Sequence, residues 1–272
     1  GFVQLSNNVI SWISILTVAL NSMSGRFICI EINRQNTEKA KEYFNSVLVA
    51  NTVLAAILMV PSILLVVFIN KVMNVPAHLL SDVRLTFAFA LIGMEVQLLL
   101  NVFATVYYTT NRVDIQAKRN IEGNILRATV LVAFFASLPA HMWYVTGTMM
   151  LVYVYLGLAD IHYTKKLTPQ LTVNARYFKA NAVKELLSSG VWNSVNQLSI
   201  VLLTSLDIYL MNVLISAKAA GEYSMAKTLP NFIQSFVGVM VSVFVPQFTI
   251  LYAQKKKKED RKSTRLNSSH SN

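Results

Sequence analysis

The sequence predicts an all-α, polytopic membrane protein with about seven transmembrane helices, on three observations. Residues 228–254 carry no charge and run directly into four lysines, Lys255–Lys258; about 20 apolar residues cross a bilayer, and a basic cluster at the exit marks the cytoplasmic side. The composition is 54% hydrophobic and 14% charged, with a mean hydropathy of +0.47, which an ordinary soluble domain does not tolerate. The third observation is that Lys and Arg alternate between successive loops.

Long low-charge runs place the helices near residues 2–25, 44–70, 85–110, 121–139, 142–163, 186–216 and 228–253. The fourth and fifth share one apolar run, too long for a single span at about 1.5 Å per residue, and Pro139 in SLPAH breaks it into a hairpin. The loops assigned inside hold sixteen Lys and Arg, from Arg26 to Lys41, Arg112 to Arg119, Lys165 to Lys184 and Lys255 to Lys258, against four outside, Lys71, Arg84, Lys218 and Lys227. A missed or invented helix would scramble that ratio, so residue 1 is expected outside and Lys255–Lys258 in the cytoplasm of a multi-pass inner-membrane protein. The same topology explains the net charge of +11 without nucleic acid as a partner. Residues 165–185, with Pro169, read as an inter-lobe linker between an N-terminal lobe (1–164) and the start of a C-terminal lobe (186–259). Both ends look artificial: residue 1 is Gly inside a helix already under way, and residues 260–272 resemble the in-frame translation of a sequencing-library adapter, so that tail, His270 included, carries no functional reading.

Polar residues recur on single faces of the spans. Gln4, Asn7, Asn8, Ser11, Ser14, Thr17 and Asn21 follow intervals of three or four on the first helix; Ser189, Asn193, Asn196, Gln197, Thr204 and Asp207 repeat the pattern on the sixth; Asn231, Gln234 and Ser235 follow on the seventh. Two readings stand: interhelical hydrogen bonding, or a water-filled cavity between lobes. Ionisable groups inside a span cost about 2.5–3.5 kcal/mol at the midplane and so face an interior or water. Glu95 lies about 16 Å down its helix and Arg127 about 12 Å up the next, at similar depth, so they either pair or Arg127 snorkels towards Lys118 and Arg119. Asp207 falls near the outer interface. His78, His141 and His162 fall at loops or helix ends, Cys29 is alone, and no catalytic set, metal-ligand cluster, phosphate loop or cofactor motif is visible. The pattern points away from an enzyme.

The stretch LNSMSGRFICIEINRQNTEKAKEYFNSVL resembles the second helix and following cytoplasmic loop of Wzx-like oligosaccharide flippases, polysaccharide transporters of the multidrug/oligosaccharidyl-lipid/polysaccharide exporter superfamily. Asp207, the turn from Gly221 to Ser224 and Pro246 resemble features of that family's seventh and eighth helices. The resemblance implies two six-helix lobes with the substrate path between them, of which this chain carries about helices two to eight. It implies a polyprenyl-diphosphate-linked oligosaccharide as cargo, beside the membrane lipids, and alternating access without covalent chemistry. Carried onto this sequence, Arg127 and Arg26 are expected to meet the diphosphate by bidentate hydrogen bonding. Asn7, Asn8, Ser11, Asn193 and Gln197 are expected to line the aqueous route, and Glu95 and Asp207 are candidates for coupling to H+ or Na+. The competing readings are a cation or drug exporter of the same superfamily, and a membrane-embedded glycan polymerase or ligase. The first calls for more intramembrane carboxylates than this chain has, the second for larger charged outer loops.

Overall fold

The structure is a computed structural model that describes residues 2–72, 75, 77–214, 223 and 226–253, without the side chains of 203–214, 228, 231, 242, 243 and 251–253. The described residues are entirely helical or loop. α1 is Phe2–Asn33, α2 Thr37–Val67, α3 Ile69–Val72 and α4 Leu80–Leu100; α5, Thr105–Thr109, continues α4 after a 3-10 turn, Asn101–Ala104. α6 is Val113–Ser137, α7 Trp143–Leu167, α8 Ala180–Leu214 and α9 Thr228–Ala253.

Among the described residues, five stretches are long and apolar enough to cross a membrane: Phe2–Asn33, Thr37–Val67, Ala77–Thr109, Trp143–Leu167 and Phe232–Ile250. α6 and α8 stand where the other two crossings were expected and have 25 and 35 residues. Asp114, Lys118, Arg119, Glu122 and Arg127 lower the hydropathy of α6, and α8 carries its Asn and Ser stripe in the part before residues 203–214, whose side chains are not described. The hairpin break is where Pro139 predicted it. There the Tyr144 hydroxyl donates to the Pro139 carbonyl at 2.8 Å, and the Met142 N–H donates to Asp82 at 2.8 Å.

The first hairpin is longer than the sequence suggested. α1 was expected to end near residue 25 and α2 to begin near 44; instead they meet at a turn where Gln35 takes φ 61 and the Asn36 side chain caps α2 by accepting from the Lys39 N–H at 3.3 Å. α2 alone has 31 residues, about 46 Å of helix against a hydrocarbon core of about 30 Å. The extension is held by packing: Ile28, Tyr43, Phe44, Val47, Val102, Leu171 and Leu186 form one buried cluster that joins α1, α2, the 3-10 turn, the segment after α7, and α8.

That segment, read from sequence as a linker, is tied to α2. Asn45 donates to the Thr172 carbonyl at 3.0 Å and accepts from the Asn174 N–H at 2.8 Å. Ser46 accepts from the Lys179 N–H at 2.9 Å and donates to the Lys179 carbonyl at 3.3 Å.

Two helix pairs approach closely because glycine is at the contact. A Cβ on Gly157 of α7 would lie 2.1 Å from Leu100 of α4, and one on Gly190 of α8 would lie 1.8 Å from the Ala19 carbonyl oxygen of α1. Without a hydrophobic drive between helices in lipid, such small-residue contacts supply the association through dispersion. The outer faces of α2 and α9, from Val53 to Val67 and from Leu229 to Val245, expose large apolar side chains suited to lipid.

Candidate functional site

α1 is flanked by two hollows along its C-terminal half. One, of about 390 Å³, lies between Asn21–Arg26 of α1, Asn101, Ala104, Thr105 and Tyr108, and Val245 of α9. The other, of about 400 Å³, lies between Met23–Arg34 of α1, Lys39 and Tyr43 of α2, and Glu185 and Ser189 of α8. Met23 and Arg26 line both.

The charges around the second hollow are unequally matched. Glu31 is paired with Arg34 at 3.5 Å, and Glu185 accepts the Tyr43 hydroxyl at 2.7 Å. Arg26 is exposed and has no carboxylate within ion-pair distance among the described residues. A guanidinium so placed is available to an anion from either hollow.

The polar stripe of α1 divides between the two readings. Its N-terminal part is turned back on its own helix: Ser11 donates to the Asn7 carbonyl at 2.9 Å, Ser14 to Ser11, Thr17 to Ser14, and Gln4 donates to the Asn8 side chain at 3.4 Å. Its C-terminal part joins helices. Asn21 and Asn51 exchange two amide hydrogen bonds, at 3.0 and 2.9 Å. Asn193 of α8 donates to Ser22 at 3.1 Å, and Ser194 donates to the Ile15 carbonyl at 3.2 Å. Asn7 is exposed, and Asn8, Ser11, Asn193 and Gln197 are half-buried; none of the five lines either hollow.

Glu95 and Arg127 do not pair. Glu95 is 7% exposed and neither carboxyl oxygen has a hydrogen-bond partner. It lines an otherwise apolar groove of about 320 Å³ between α2 and α4, together with Ser62, whose buried hydroxyl is also unpartnered. Arg127 is half-buried on α6, within electrostatic reach of Tyr153 of α7. α4 turns Glu95 towards α2, whereas α6 packs on α7. The Asp207 side chain and Lys255–Lys258 lie outside the described residues.

The structure adds residues that the sequence did not single out. The Tyr108 hydroxyl contacts that of Thr249 on α9 and reaches the Val245 carbonyl at 3.4 Å, bridging the first hollow. Asp160, close to the C-terminal end of α7, faces Tyr107. Both tyrosines look interfacial in sequence, and Asp160 sits near enough to Lys165 and Lys166 to pass for a headgroup-region charge. Among the described residues no three His, Cys, Asp or Glu converge as a metal site.

A family model described as polysaccharide biosynthesis protein matches residues 5–251. The uncharacterized membrane protein EpsK of Bacillus subtilis (strain 168) is 30% identical over 254 residues, covering 93% of this chain and 50% of that protein. The chain therefore spans about half the length of the curated relative it matches. No solved structure matches.

Proposed function

The chain belongs to the polysaccharide biosynthesis protein family, and from that premise we propose that it serves a flippase carrying polyprenyl-diphosphate-linked oligosaccharide across the bacterial cytoplasmic membrane. The observation that supports this reading best is Arg26: a guanidinium with no carboxylate in ion-pair distance among the described residues, at the wall shared by a hollow against α9 and a hollow against α8. A diphosphate needs a cation with several donors, and a sugar needs amides and hydroxyls; Arg26, Lys39, Asn21, Ser22 and Ser189 offer both at one place.

In this scheme residues 1–164 form the N-terminal lobe, 165–185 the linker and 186–259 the start of the C-terminal lobe. Residue 1 is outside and Lys255–Lys258 are cytoplasmic. Rocking of the lobes carries the headgroup outwards with no bond made or broken, so the protein is a transporter and not an enzyme. Asn7, Asn8, Ser11, Asn193 and Gln197 lie further out along α1 and α8, where an opened route would expose them. Arg127 is the second phosphate contact, from α6. Glu95, buried without a partner, and Asp207 are the candidates for H+ or Na+ coupling.

The test is transport of a lipid-linked oligosaccharide in vesicles holding the complete protein. Unaltered lipid-linked sugar should appear on the far side, and replacing Arg26 with Ala should slow its appearance roughly ten- to a hundredfold, the range for a lost hydrogen bond to a charged group. Arg26→Lys should recover part of that rate, because charge is kept and the bidentate fork is lost. New glycosidic bonds in the product, or an unchanged rate in Arg26→Ala, would reject the reading.

A further inference from the structure

A groove of about 410 Å³ runs between α1, α2 and the first turns of α8, and every residue lining it is apolar. Leu20, Ala50 and Leu54 make its floor, and the exposed side chains of Leu16, Val53 and Ile57 make its rim. Phe178 and Ala180 stand at the end where α8 begins. They are brought there by Asn45 and Ser46, one turn before Val49 and Ala50 on α2, whose hydrogen bonds hold residues 172–179.

That end of the groove is basic. Ala180, Val183 and Leu187 turn one face of α8 to the groove, and Lys184 shares that face, four residues after Ala180 and three before Leu187. Arg176 and Lys179 flank Phe178 in the segment before α8. All three cations are exposed, and none has a carboxylate within ion-pair distance among the described residues. The acids nearby are largely engaged elsewhere. Glu185 accepts the Tyr43 hydroxyl at 2.7 Å, and Glu38 pairs with Lys41 at 2.9 Å. Glu42, one turn before Ser46 on α2, is the carboxylate in register with this end, so three cations stand against one acid.

We propose that the groove seats an acyl chain of an anionic phospholipid, whose phosphate is held by Arg176, Lys179 and Lys184. The walls suit a hydrocarbon chain and offer no partner to a polar one. Basic pockets between membrane helices take anionic headgroups, a guanidinium meets phosphate oxygens through two parallel hydrogen bonds, and a lysine stem lies along apolar surface while its ammonium reaches beyond it. A soluble anion gains only the cations. A zwitterionic phospholipid gains the groove but brings its own positive charge to the lysines. An anionic phospholipid gains both, and in doing so joins α2 and α8 to the segment between α7 and α8. The groove is separate from the hollow beside Arg26, since Glu185 and Ser189 line that hollow from the opposite face of α8 and the two share no lining residue. Phospholipid binding therefore stands whether or not the protein flips a lipid-linked sugar.

The test is native mass spectrometry of the complete protein, released from micelles holding equal amounts of phosphatidylglycerol and phosphatidylcholine with the same chains. Phosphatidylglycerol is expected to be the first lipid retained. Each of Arg176→Ala, Lys179→Ala and Lys184→Ala should lower its preference over phosphatidylcholine about fivefold, the worth of one basic residue beside an anionic headgroup. Ala50→Phe, which fills the floor, should lower retention of both lipids; the three cation variants are at exposed positions and carry the test by themselves if that one does not fold. The preference should be unchanged in the Lys165→Ala, Lys166→Ala pair, exposed cations of α7 outside the groove, and in Arg26→Ala. Equal retention of the two lipids, a preference that survives loss of all three cations, or one that falls as much with Lys165 and Lys166 would overturn the site. So would displacement by inorganic phosphate, which would mark a soluble-anion site, or retention of an isoprenyl diphosphate in place of phosphatidylglycerol.

Discussion

The two flanks of α1 are built differently. Against α8 the helix has a hollow of about 400 Å³, shared with α2, and beside it a sealed stretch: Gly190 lies on the Ala19 carbonyl, and Asn193 and Ser194 reach across to Ser22 and Ile15. Against α9 it is ajar, with a hollow of about 390 Å³ bridged by the Tyr108 hydroxyl to Thr249 and Val245, while residues 232–241 of α9 are exposed. Backbone-to-backbone contact has one tight arrangement, since a packed interface is bistable rather than continuously deformable; a hydroxyl bridge opens by turning two side chains. The α8 flank therefore resists separation at Gly190, and the α9 flank yields more easily.

The largest way to break this contrast is Gly190→Leu. No Cβ fits 1.8 Å from a carbonyl oxygen, so α8 must leave α1, and overpacking of this kind costs up to about 3 kcal/mol. Thermal unfolding in detergent should show a clearly lower midpoint, and an unchanged one would mean that this stretch is not sealed. A smaller effect is expected on the other side. Tyr108→Phe removes the bridge at about 1 kcal/mol, and hydrogen exchange should quicken around Val245 while staying unchanged around Gly190. Equal changes on both flanks would erase the distinction.

The smallest effect sharpens the contrast by locating what lies outside it. In the α5–α6 loop Arg112 donates to Asp114 at 3.0 Å, and that hydrogen bond holds the Asp114 carboxyl below its usual range. A lowered carboxyl contributes stability above its unfolded value, near 3.9, and loses it as pH falls through the folded one. Both groups are exposed, so solvent screens the pair. The midpoints of Asp114→Asn and the parent should therefore stay nearly parallel from pH 5 to 8, and converge only in strong acid.

Much of the fold is legible in the sequence because the bilayer imposes length and hydropathy on each span and charge on each loop. The hairpin break at Pro139 follows from those constraints alone. The extension of α1 and α2 to their shared turn does not, because residues 26–43 are polar enough to read as a loop while Ile28, Phe44 and Val47 find a core through tertiary contact. Nor does depth fix direction: the sequence puts Glu95 and Arg127 at one level, yet each residue turns a helix by about 100°, and only packing decides that one faces α2 and the other α7. Asp160 escaped for a related reason, since a charge near a helix end looks interfacial until a neighbouring helix covers it.

The anchorage of the segment between α7 and α8 has a further consequence. Asn45 and Ser46 grip it through the backbone of Thr172, Asn174 and Lys179. These hydrogen bonds do not depend on which residues occupy those three positions, unlike Leu171, which enters the core, and Tyr177, whose ring meets Lys41; a protease that nicked the chain between the anchor points would leave both cut ends moored to the same helix.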